Sequence, residues 1–299
     1  MLDFDPTDIL LYGAQEGRFF HGYYGDYCYL PLYVFCGDQL LVARLRTSNR
    51  DASDGAVEVL AGLVGRIRAQ WPAVRIVVRG DSAFARGGLM RYCERQPAVY
   101  YVFGLAKNER LLHAVRWQRH EAHREFLRTG QAARVYTEFR YRTRESWSRA
   151  RRVVAKAEWL EKGPNPRFVV TNLPGREVRS QALYEQRYCP RGDMENRIKE
   201  QQLDLYADRA SSHLFRGNQL RVWFSAVAYV LMNGLRRVAL RQTRLAHATC
   251  QSLRLKLLKI GARVLTSARR LVVHLASACP YQDVFVQAWR TLQTYPRRC

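Results

Sequence analysis

The sequence lacks paired cysteines. Its seven cysteines are odd in number and widely spread, and no Cys-x-x-Cys pair occurs. A disulfide framework is usually indicated by an even set of cysteines, and a zinc ribbon by Cys-x-x-Cys pairs. Neither pattern is present, so we predict reduced thiols in a cytosol.

Long apolar segments are also missing. Met1 is followed by Leu-Asp-Phe-Asp, without the basic and apolar regions of a signal peptide. The longest apolar run, over residues 222–232, ends close to Arg236 and is too short to cross a bilayer. We therefore predict a cytoplasmic protein without a membrane partner.

Acidic residues are few. The chain holds 49 Lys and Arg but only 26 Asp and Glu, which leaves a net charge of +23. Residues 1–104 are neutral overall, whereas 105–202 carry +10 and 203–299 carry +13. Such an excess attracts polyanions, chiefly nucleic acid, and its placement suggests that the later parts hold phosphates. The alternative is a generally basic, solvated surface.

The hydrophobic pattern predicts an α/β protein. Hydrophobic residues make up 47% of the 299, which is enough to bury a core. The first third reads β-β-β-α-β-α-β, with a hairpin at Gly37-Asp38. The predicted elements are strands at 2–8, 27–36 and 40–45, a helix at 54–70, a strand at 74–78, a helix at 86–95 and a strand at 99–103.

The sequence predicts that the chain divides into four parts. Residues 1–104 form the first part of a core domain, and 105–176 form a β-rich insertion that begins with charged helices. Residues 177–240 return to the core with a polar helix and then an apolar one. Residues 241–299 are predicted to be a basic helical C-terminal region.

Three carboxylates stand where catalytic acids are often found. Asp5 lies at the end of the opening strand, Asp81 directly follows the strand at 74–78, and Glu195 lies on the polar helix. Carboxylates at the ends of adjacent strands converge at one sheet edge, where a crossing helix adds another. Hard cations such as Mg²⁺ take oxygen ligands, and two of them about 4 Å apart cleave phosphodiesters.

Each acid also has a plainer interpretation. Asp5 could be an exposed or capping residue, and Asp3 and Asp8 compete with it because they are near. Asp3 would share one face of the strand with Asp5. Asp81 with Ser82 could form only a turn and a helix cap.

The helix around Glu195 carries a repeated polar face. Tyr188, Arg191, Glu195 and Lys199 return to one side of a helix, and Pro190 fits a first helical turn, which would put Tyr188 just before the helix. A solvated ladder of ion pairs is one interpretation. The other is a metal ligand flanked by phosphate-binding cations.

Together these motifs are recognisable. The set Asp5-Pro-Thr, Asp81-Ser-Ala-Phe and Tyr188-x-x-Arg191-x-x-x-Glu195 resembles the DDE transposases of bacterial insertion sequences, over nearly the whole chain. More narrowly, it resembles the branch that has a Tyr-Arg-Glu-Lys signature and a β-rich insertion before the glutamate helix.

The resemblance implies a fold and a chemistry. The fold is α/β, with a ribonuclease-H-like mixed sheet, a β-rich insertion and a helical C-terminal region. The activity is metal-dependent DNA cleavage and strand transfer, with two Mg²⁺ or Mn²⁺ ions on Asp5, Asp81 and Glu195. The partners are double-stranded DNA and a second copy of the chain, in the bacterial cytoplasm at the nucleoid.

Further residues are expected to contact DNA. The resemblance implies this for Tyr188, Arg191 and Lys199, although the signature lysine usually falls seven residues after the glutamate, where this chain has Gln202. Four more cations suggest a basic helix face suited to phosphates, or an ordinary solvated face: Arg254, Lys256, Lys259 and Arg263.

Two rival functions remain open. The chain begins almost on its first catalytic strand, whereas relatives carry a substantial preceding region, so we expect a truncated product or a mis-called start. It could be a non-catalytic remnant that binds DNA by charge. It could also be a plain nuclease of the same fold, which cuts but never joins.

Overall fold

The computed structural model describes residues 1–296, so residues 297–299 of the predicted C-terminal region lie outside it. A nine-stranded sheet forms the centre of the protein. Its strands are β1 (Leu2–Pro6), β5 (Leu32–Cys36), β6 (Gln39–Arg44), β7 (Ile76–Gly80), β8 (Val99–Leu105), β9 (Ala133–Tyr141), β10 (Arg151–Leu160), β11 (Gly163–Pro164) and β12 (Arg167–Thr171).

One half of this sheet has the order β6-β5-β1-β7-β8. β5 pairs antiparallel with both β6 and β1, whereas β1-β7 and β7-β8 are parallel pairs. In chain order these strands are the third, second, first, fourth and fifth of the core. The ribonuclease-H-like mixed sheet is therefore confirmed.

The insertion strands extend the same sheet. β12 pairs antiparallel with β8, and β10 lies between β12 and β9. The part predicted to be β-rich, residues 105–176, thus contains β9, β10, β11 and β12. The division of the chain into four parts stays a prediction.

Strand alternation gives the sheet two different faces. On β1 and β5, Leu2, Phe4, Leu32 and Val34 enter one hydrophobic core, which is covered by helices. This core packs against α1 (Ala56–Gln70), α2 (Gly87–Arg95) and α3 (Glu109–Ala114). The next helix, α4 (Arg116–Thr129), packs against β9 and β10.

The opposite face carries Asp3 and Asp5, which pair with Phe35 and Tyr33. Because side chains alternate along a strand, both acids point away from the first core. A second core with Tyr33 and Phe35 covers this face together with Met194 and Ile198 of the glutamate helix. The sheet therefore lies between two helical layers, and the acids face the second one.

The glutamate helix begins earlier than expected. The chain is helical from α5 (Ser180–Ala182) through a π-helical segment (Leu183–Tyr188) and a 3₁₀ turn (Cys189–Arg191) into α6 (Gly192–Lys199). A second π-helical segment (Glu200–Asp204) follows it. The expectation that Tyr188 precedes the helix is wrong, because Pro190 is accommodated inside the helical run.

The C-terminal part also departs from the prediction. After α7 (Phe215–Val238) and α8 (Cys250–Leu253), a π-helical segment ends at Leu258. An exposed hairpin of β13 (Ala262–Thr266) and β14 (Leu271–Leu275) follows, and then α9 (Gln282–Thr294). The four cations from Arg254 to Arg263 therefore do not share one helix face, since Arg263 lies on β13.

The sequence analysis did not predict the small sheet formed by the part of the chain that connects β1 to β5. This sheet has the order β2-β4-β3, from β2 (Ile9–Leu10), β3 (Phe19–His21) and β4 (Asp26–Tyr29). Pro31 separates β4 from β5, so the predicted strand at 27–36 is two strands. Among residues 1–296, no helix is both long and apolar enough to span a membrane.

Candidate active site

Asp5 occupies the end of β1 at the centre of the core sheet. Its residue is only 8% exposed. Burial raises the pKa of this carboxyl to about 7, although Arg191 opposes the shift, and Asp81, Glu195 and Asp3 add to it. Asp5 is therefore a buried acid with too little positive charge around it.

Asp81 follows β7, which is the neighbour of β1. Its carboxylate accepts a hydrogen bond from the Ala83 N–H at 2.9 Å and so caps the turn over Ser82–Phe84. Burial raises its pKa, and the Ala83 N–H and Arg191 oppose that rise. The turn-capping interpretation is thus part of the structure, and the same carboxylate also lies within electrostatic reach of Arg191 and Glu195.

Glu195 reaches the site from α6. The packing of Met194 and Ile198 in the second core fixes this helix over the sheet edge. The Glu195 side chain is 48% exposed and accepts a hydrogen bond from Arg191 at 2.8 Å. It is the most open of the three carboxylates.

Arg191 joins the acids. One guanidinium nitrogen lies 3.3 Å from each carboxylate oxygen of Asp5, and the other donates to Glu195. The guanidinium of Arg191 thus contacts Asp5 and Glu195, and Arg191 and Glu195 both lie near enough to Asp81 to act on it electrostatically. A sheet strand, a strand-to-turn junction and a helix supply one acid each.

The donor set suits a divalent metal. Within residues 1–296, no three His, Cys, Asp or Glu side chains are grouped as a ready metal site. The guanidinium of Arg191 lies between Asp5 and Glu195. Carboxylate oxygens are the ligands that Mg²⁺ prefers, and a cation bound there would offset the burial that raises the pKa of Asp5 and of Asp81.

Tyr188 is turned inward. A Cβ atom on Gly104 of β8 would lie 2.5 Å from the Tyr188 hydroxyl, so only glycine leaves room for this ring. Burial raises the pKa of the Tyr188 hydroxyl, and Asp81 raises it further, whereas Arg191 lowers it. The hydroxyl therefore lies against the β8 backbone at Gly104, within electrostatic reach of Asp81.

A second ion pair lies beneath the site and was missed by the sequence analysis. Arg79 of β7 donates to both oxygens of Asp3, at 2.5 Å and 2.8 Å. It also donates to the carbonyl oxygens of Arg187 and Pro190, at 2.8 Å and 3.2 Å. Because a proline inside a helix leaves carbonyl groups without N–H partners, Arg79 satisfies carbonyls around Pro190 and ties the glutamate helix to the sheet.

The two candidate positions for the signature lysine, 199 and 202, have different surroundings. Gln202, seven residues after Glu195, donates to the carbonyl oxygen of Asp8 at 2.8 Å and so packs against the chain that leaves β1. Lys199 is exposed on α6. A DNA-contacting role for Lys199 stays a prediction.

The C-terminal cations fall into two pairs. Arg254 donates to the Asp204 carbonyl and to the Tyr206 hydroxyl, and Lys256 lies 5.2 Å from the centre of the Tyr281 ring. Lys259 and Arg263 are exposed. The first pair is engaged within the protein, and the second pair is open to solvent.

Known proteins give the site its context. The sequence profile of the family described as transposase DDE domain group 1 matches residues 1–297. No curated protein matches in sequence. A cryo-EM structure of the piggyBac transposase synaptic complex with hairpin DNA is similar over 77% of this chain, with 9% identity and a TM-score of 0.42. This chain spans 45% of that protein's length. The family match covers nearly all of the sequence, and the chain belongs to the transposase DDE domain group 1 family.

Proposed function

We propose that this chain catalyses metal-dependent cleavage and strand transfer of DNA for a cut-and-paste bacterial insertion sequence. The observation that supports the proposal is that Arg191 contacts both Asp5 and Glu195 at one sheet edge, with Asp81 within electrostatic reach of Arg191 and Glu195. A basic chain with a net charge of +23 supports DNA as the substrate. The Tyr188, Arg191 and Glu195 spacing supports the Tyr-Arg-Glu-Lys branch.

Two Mg²⁺ or Mn²⁺ ions would be held by the three acids. Bound there, such ions activate an attacking water or DNA 3′-hydroxyl and stabilise the leaving oxygen. The chain's own residues prepare this chemistry. β1 and β7 fix two of the acids on the sheet, and the helix that carries Glu195 is tied down by Arg79.

Arg191 would change partners if metal were bound. With positive charge supplied to Asp5 and Glu195 by a cation, its guanidinium would be free to bind a DNA phosphate bidentately. Tyr188 contacts DNA beside Arg191, and Lys199, Lys259 and Arg263 add phosphate contacts from exposed positions. A second copy of the chain completes the DNA complex, in the bacterial cytoplasm.

Replacing Glu195 tests the proposal. Glu195→Gln keeps the shape of the side chain and removes the charge that holds metal, so nicking of supercoiled plasmid in Mg²⁺ or Mn²⁺ should fall below detection. DNA binding, measured by fluorescence anisotropy, should stay within about twofold because it rests on Lys and Arg. The matched control is Glu125→Gln, which removes an exposed acid paired with Arg128 on α4 and should leave both measurements unchanged.

The same assay separates the rivals. A wild-type chain that binds DNA but never nicks it would be a binding remnant. A chain that nicks without joining a DNA 3′-end to the plasmid would be a nuclease. Undiminished nicking by Glu195→Gln would remove Glu195 from the site.

A further inference from the structure

The hairpin of β13 and β14 has one apolar side. Residues that pair directly in an antiparallel hairpin point to the same side, and Val264 pairs with Val273 at its centre. Because side chains alternate along both strands, that side carries Ala262, Val264, Thr266, Leu271, Val273 and Leu275. We call these six residues the hairpin face. Arg263 and His274 pair with each other on the opposite side, so the hairpin is amphipathic.

The hairpin face is open to solvent. All residues of both strands are exposed, with Val264 at 54% and Val273 at 51%. A two-stranded hairpin alone is at best marginally stable in water, and it needs an apolar partner to cover such a face. The hairpin face is therefore a surface that requires packing against something else.

A second open apolar surface lies between β6 and α7. β6 is an edge strand of the large sheet, and α7 packs beside it. Trp223 and Gln219 of α7 donate to the Ala43 carbonyl at 3.1 Å and 3.2 Å, which fixes the helix along the strand edge. The two elements form a groove of about 740 Å³. We call it the α7 groove, and its apolar lining includes Leu41, Trp223, Val227, Val230 and Leu231.

The lining of the α7 groove is not used by the protein's own cores. Val222 and Tyr229 are the residues with which α7 enters the second core. On the groove side, Trp223 is 54% exposed and Leu231 is 68% exposed. A helix that is apolar on several sides is normally buried, and a large open apolar patch marks an interaction site.

The two surfaces match in chemistry and in length. Each strand of the hairpin has five residues and so spans about 17 Å. The groove follows α7 from Phe215 to Leu231, which corresponds to about 24 Å of helix. One apolar hairpin therefore fits along one groove. In the structure both surfaces are exposed, so the hairpin face of a chain does not occupy its own groove.

The contact area favours a reciprocal pair of contacts. The exposed parts of the two sets of side chains come to roughly 600–800 Å² for one hairpin face in one groove. One such contact is smaller than the roughly 1,000 Å² that a specific interface needs. Two copies that exchange hairpins about a twofold axis bury about twice this area, and their contacts close as a dimer instead of continuing into a fibre.

We propose that the hairpin face of each copy docks in the α7 groove of a second copy, so that two chains exchange hairpins. The proposal deepens the proposed function, on which it rests for the role of a second copy in the DNA complex. Arg263 and His274 lie on the side of the hairpin that faces away from the groove, so the contact buries no charge of the hairpin strands. Because each copy carries +23, salt should strengthen the dimer by screening their repulsion.

Sedimentation velocity without DNA provides the test. Wild-type protein should show a monomer–dimer equilibrium at micromolar concentrations. Val273→Asp places a charge in the contact and should weaken the dimer by about 100-fold, because each dimer contains the change twice. Val227→Asp changes the α7 groove and should have the same effect. Val272→Asp is the matched control, since it makes the same substitution on the opposite side of β14 and should leave the dimer within about twofold.

A mixture of variants tests the exchange itself. In a mixed dimer of Val273→Asp and Val227→Asp, the unchanged hairpin of one chain meets the unchanged groove of the other. The mixture should therefore dimerise more tightly than either variant alone, and a mixture that gains nothing would overturn the exchange. Added NaCl should strengthen the wild-type dimer, whereas it weakens DNA binding. A dimer that added NaCl dissociates would contradict an apolar contact.

The outcomes separate this proposal from the proposed function. If wild-type protein stays monomeric at every concentration but nicks plasmid, the docking proposal is wrong and the proposed function stands. If Val227→Asp dissociates the dimer and Val273→Asp does not, another surface occupies the groove and the proposal is overturned. If the dimer depends on both residues in a protein that nicks no DNA, the docking is supported and the proposed function fails.

Discussion

Two carboxylates on one strand have opposite surroundings. Asp3 and Asp5 share a face of β1, two residues apart, and are 4% and 8% exposed. Asp3 receives two hydrogen bonds from Arg79, which it does not share with another acid. Asp5 receives one guanidinium nitrogen at 3.3 Å, and that guanidinium also serves Glu195. We call Asp3 and Arg79 the floor pair. We call Asp5, Asp81, Glu195 and Arg191 the edge cluster.

The charge partners of Asp3 and Asp5 indicate different roles. Asp3 stabilises the fold, whereas Asp5 is available to bind a further cation. In the floor pair each charge has its own partner, and the remaining donors of Arg79 reach backbone carbonyls, so the pair is complete. In the edge cluster Asp5 and Glu195 share the guanidinium of Arg191, and that cation does not offset the burial that raises the pKa of Asp5. An incomplete cluster at a sheet edge can accept further positive charge.

Breaking the floor pair should have the largest effect on stability. Asp3→Asn leaves Arg79 buried without a counter-charge, and such a loss costs about 3–5 kcal/mol. The urea midpoint of unfolding should fall accordingly. The double variant Asp3→Leu/Arg79→Met removes both charges and should recover part of the loss, although the carbonyls of Arg187 and Pro190 lose their donor. If Asp3→Asn unfolds at the same urea concentration as wild type, the floor pair does not stabilise the fold.

The edge cluster should make stability depend on pH in the opposite sense to a paired acid. The pKa of Asp5 rises on folding from 3.8 to about 7, so the folded protein binds a proton that the unfolded chain releases. Metal-free stability is therefore full below pH 3.8, falls as the pH rises, and has lost this contribution above about pH 7. The change is about 4 kcal/mol.

Asp5→Asn isolates this effect. The amide cannot ionise, so the difference in unfolding free energy between Asp5→Asn and wild type, measured in EDTA, should grow in favour of the variant from pH 4 to pH 8. Adding Mg²⁺ at pH 8 should stabilise wild type and leave the variant nearly unchanged. A difference that stays constant with pH would mean that Asp5 is already paired, as Asp3 is.

Removing Arg191, the cation that Asp5 and Glu195 share, should have a smaller effect, which is on Mg²⁺ binding. In Arg191→Met no guanidinium competes for Asp5 and Glu195, so Mg²⁺ should raise the melting temperature at about 10-fold lower concentration, a gain of roughly 1.4 kcal/mol. Arg197→Met is the matched control, because Arg197 lies on the same helix but pairs with Glu200 outside the cluster. Equal Mg²⁺ midpoints in both variants would contradict competition at the edge.

Local patterns were sufficient to predict the core of the fold. Alternating apolar residues and the Gly37-Asp38 turn predicted the hairpin of β5 and β6, and buried runs predicted β7 and β8. Strand ends predicted the places of Asp5 and Asp81, and helical spacing placed Arg191 and Glu195 on one face. These features depend on residues close together in sequence, which is why the sequence reveals them.

Distant partners were not predictable. Arg79 and Asp3 are 76 positions apart, and no local sequence pattern indicates that they form an ion pair. Pro190 was interpreted as the start of a helix because proline suits a first turn, whereas it lies inside a helical run whose Arg187 and Pro190 carbonyls accept hydrogen bonds from Arg79. In the C-terminal region the spacing of Arg and Lys suggested a helix, whereas the Val- and Leu-rich strands of β13 and β14 pair with each other.

The wide separation of the three acids along the chain has a consequence for biosynthesis. β1 is made before β7, so its parallel partner does not yet exist when β1 is synthesised. Glu195 is made 190 positions after Asp5, and at synthesis rates of about 5–20 residues per second that interval takes about 10–40 s. During this time a nascent chain carries at most two acids of the edge cluster, so the proposed metal site cannot be complete before the glutamate helix is made.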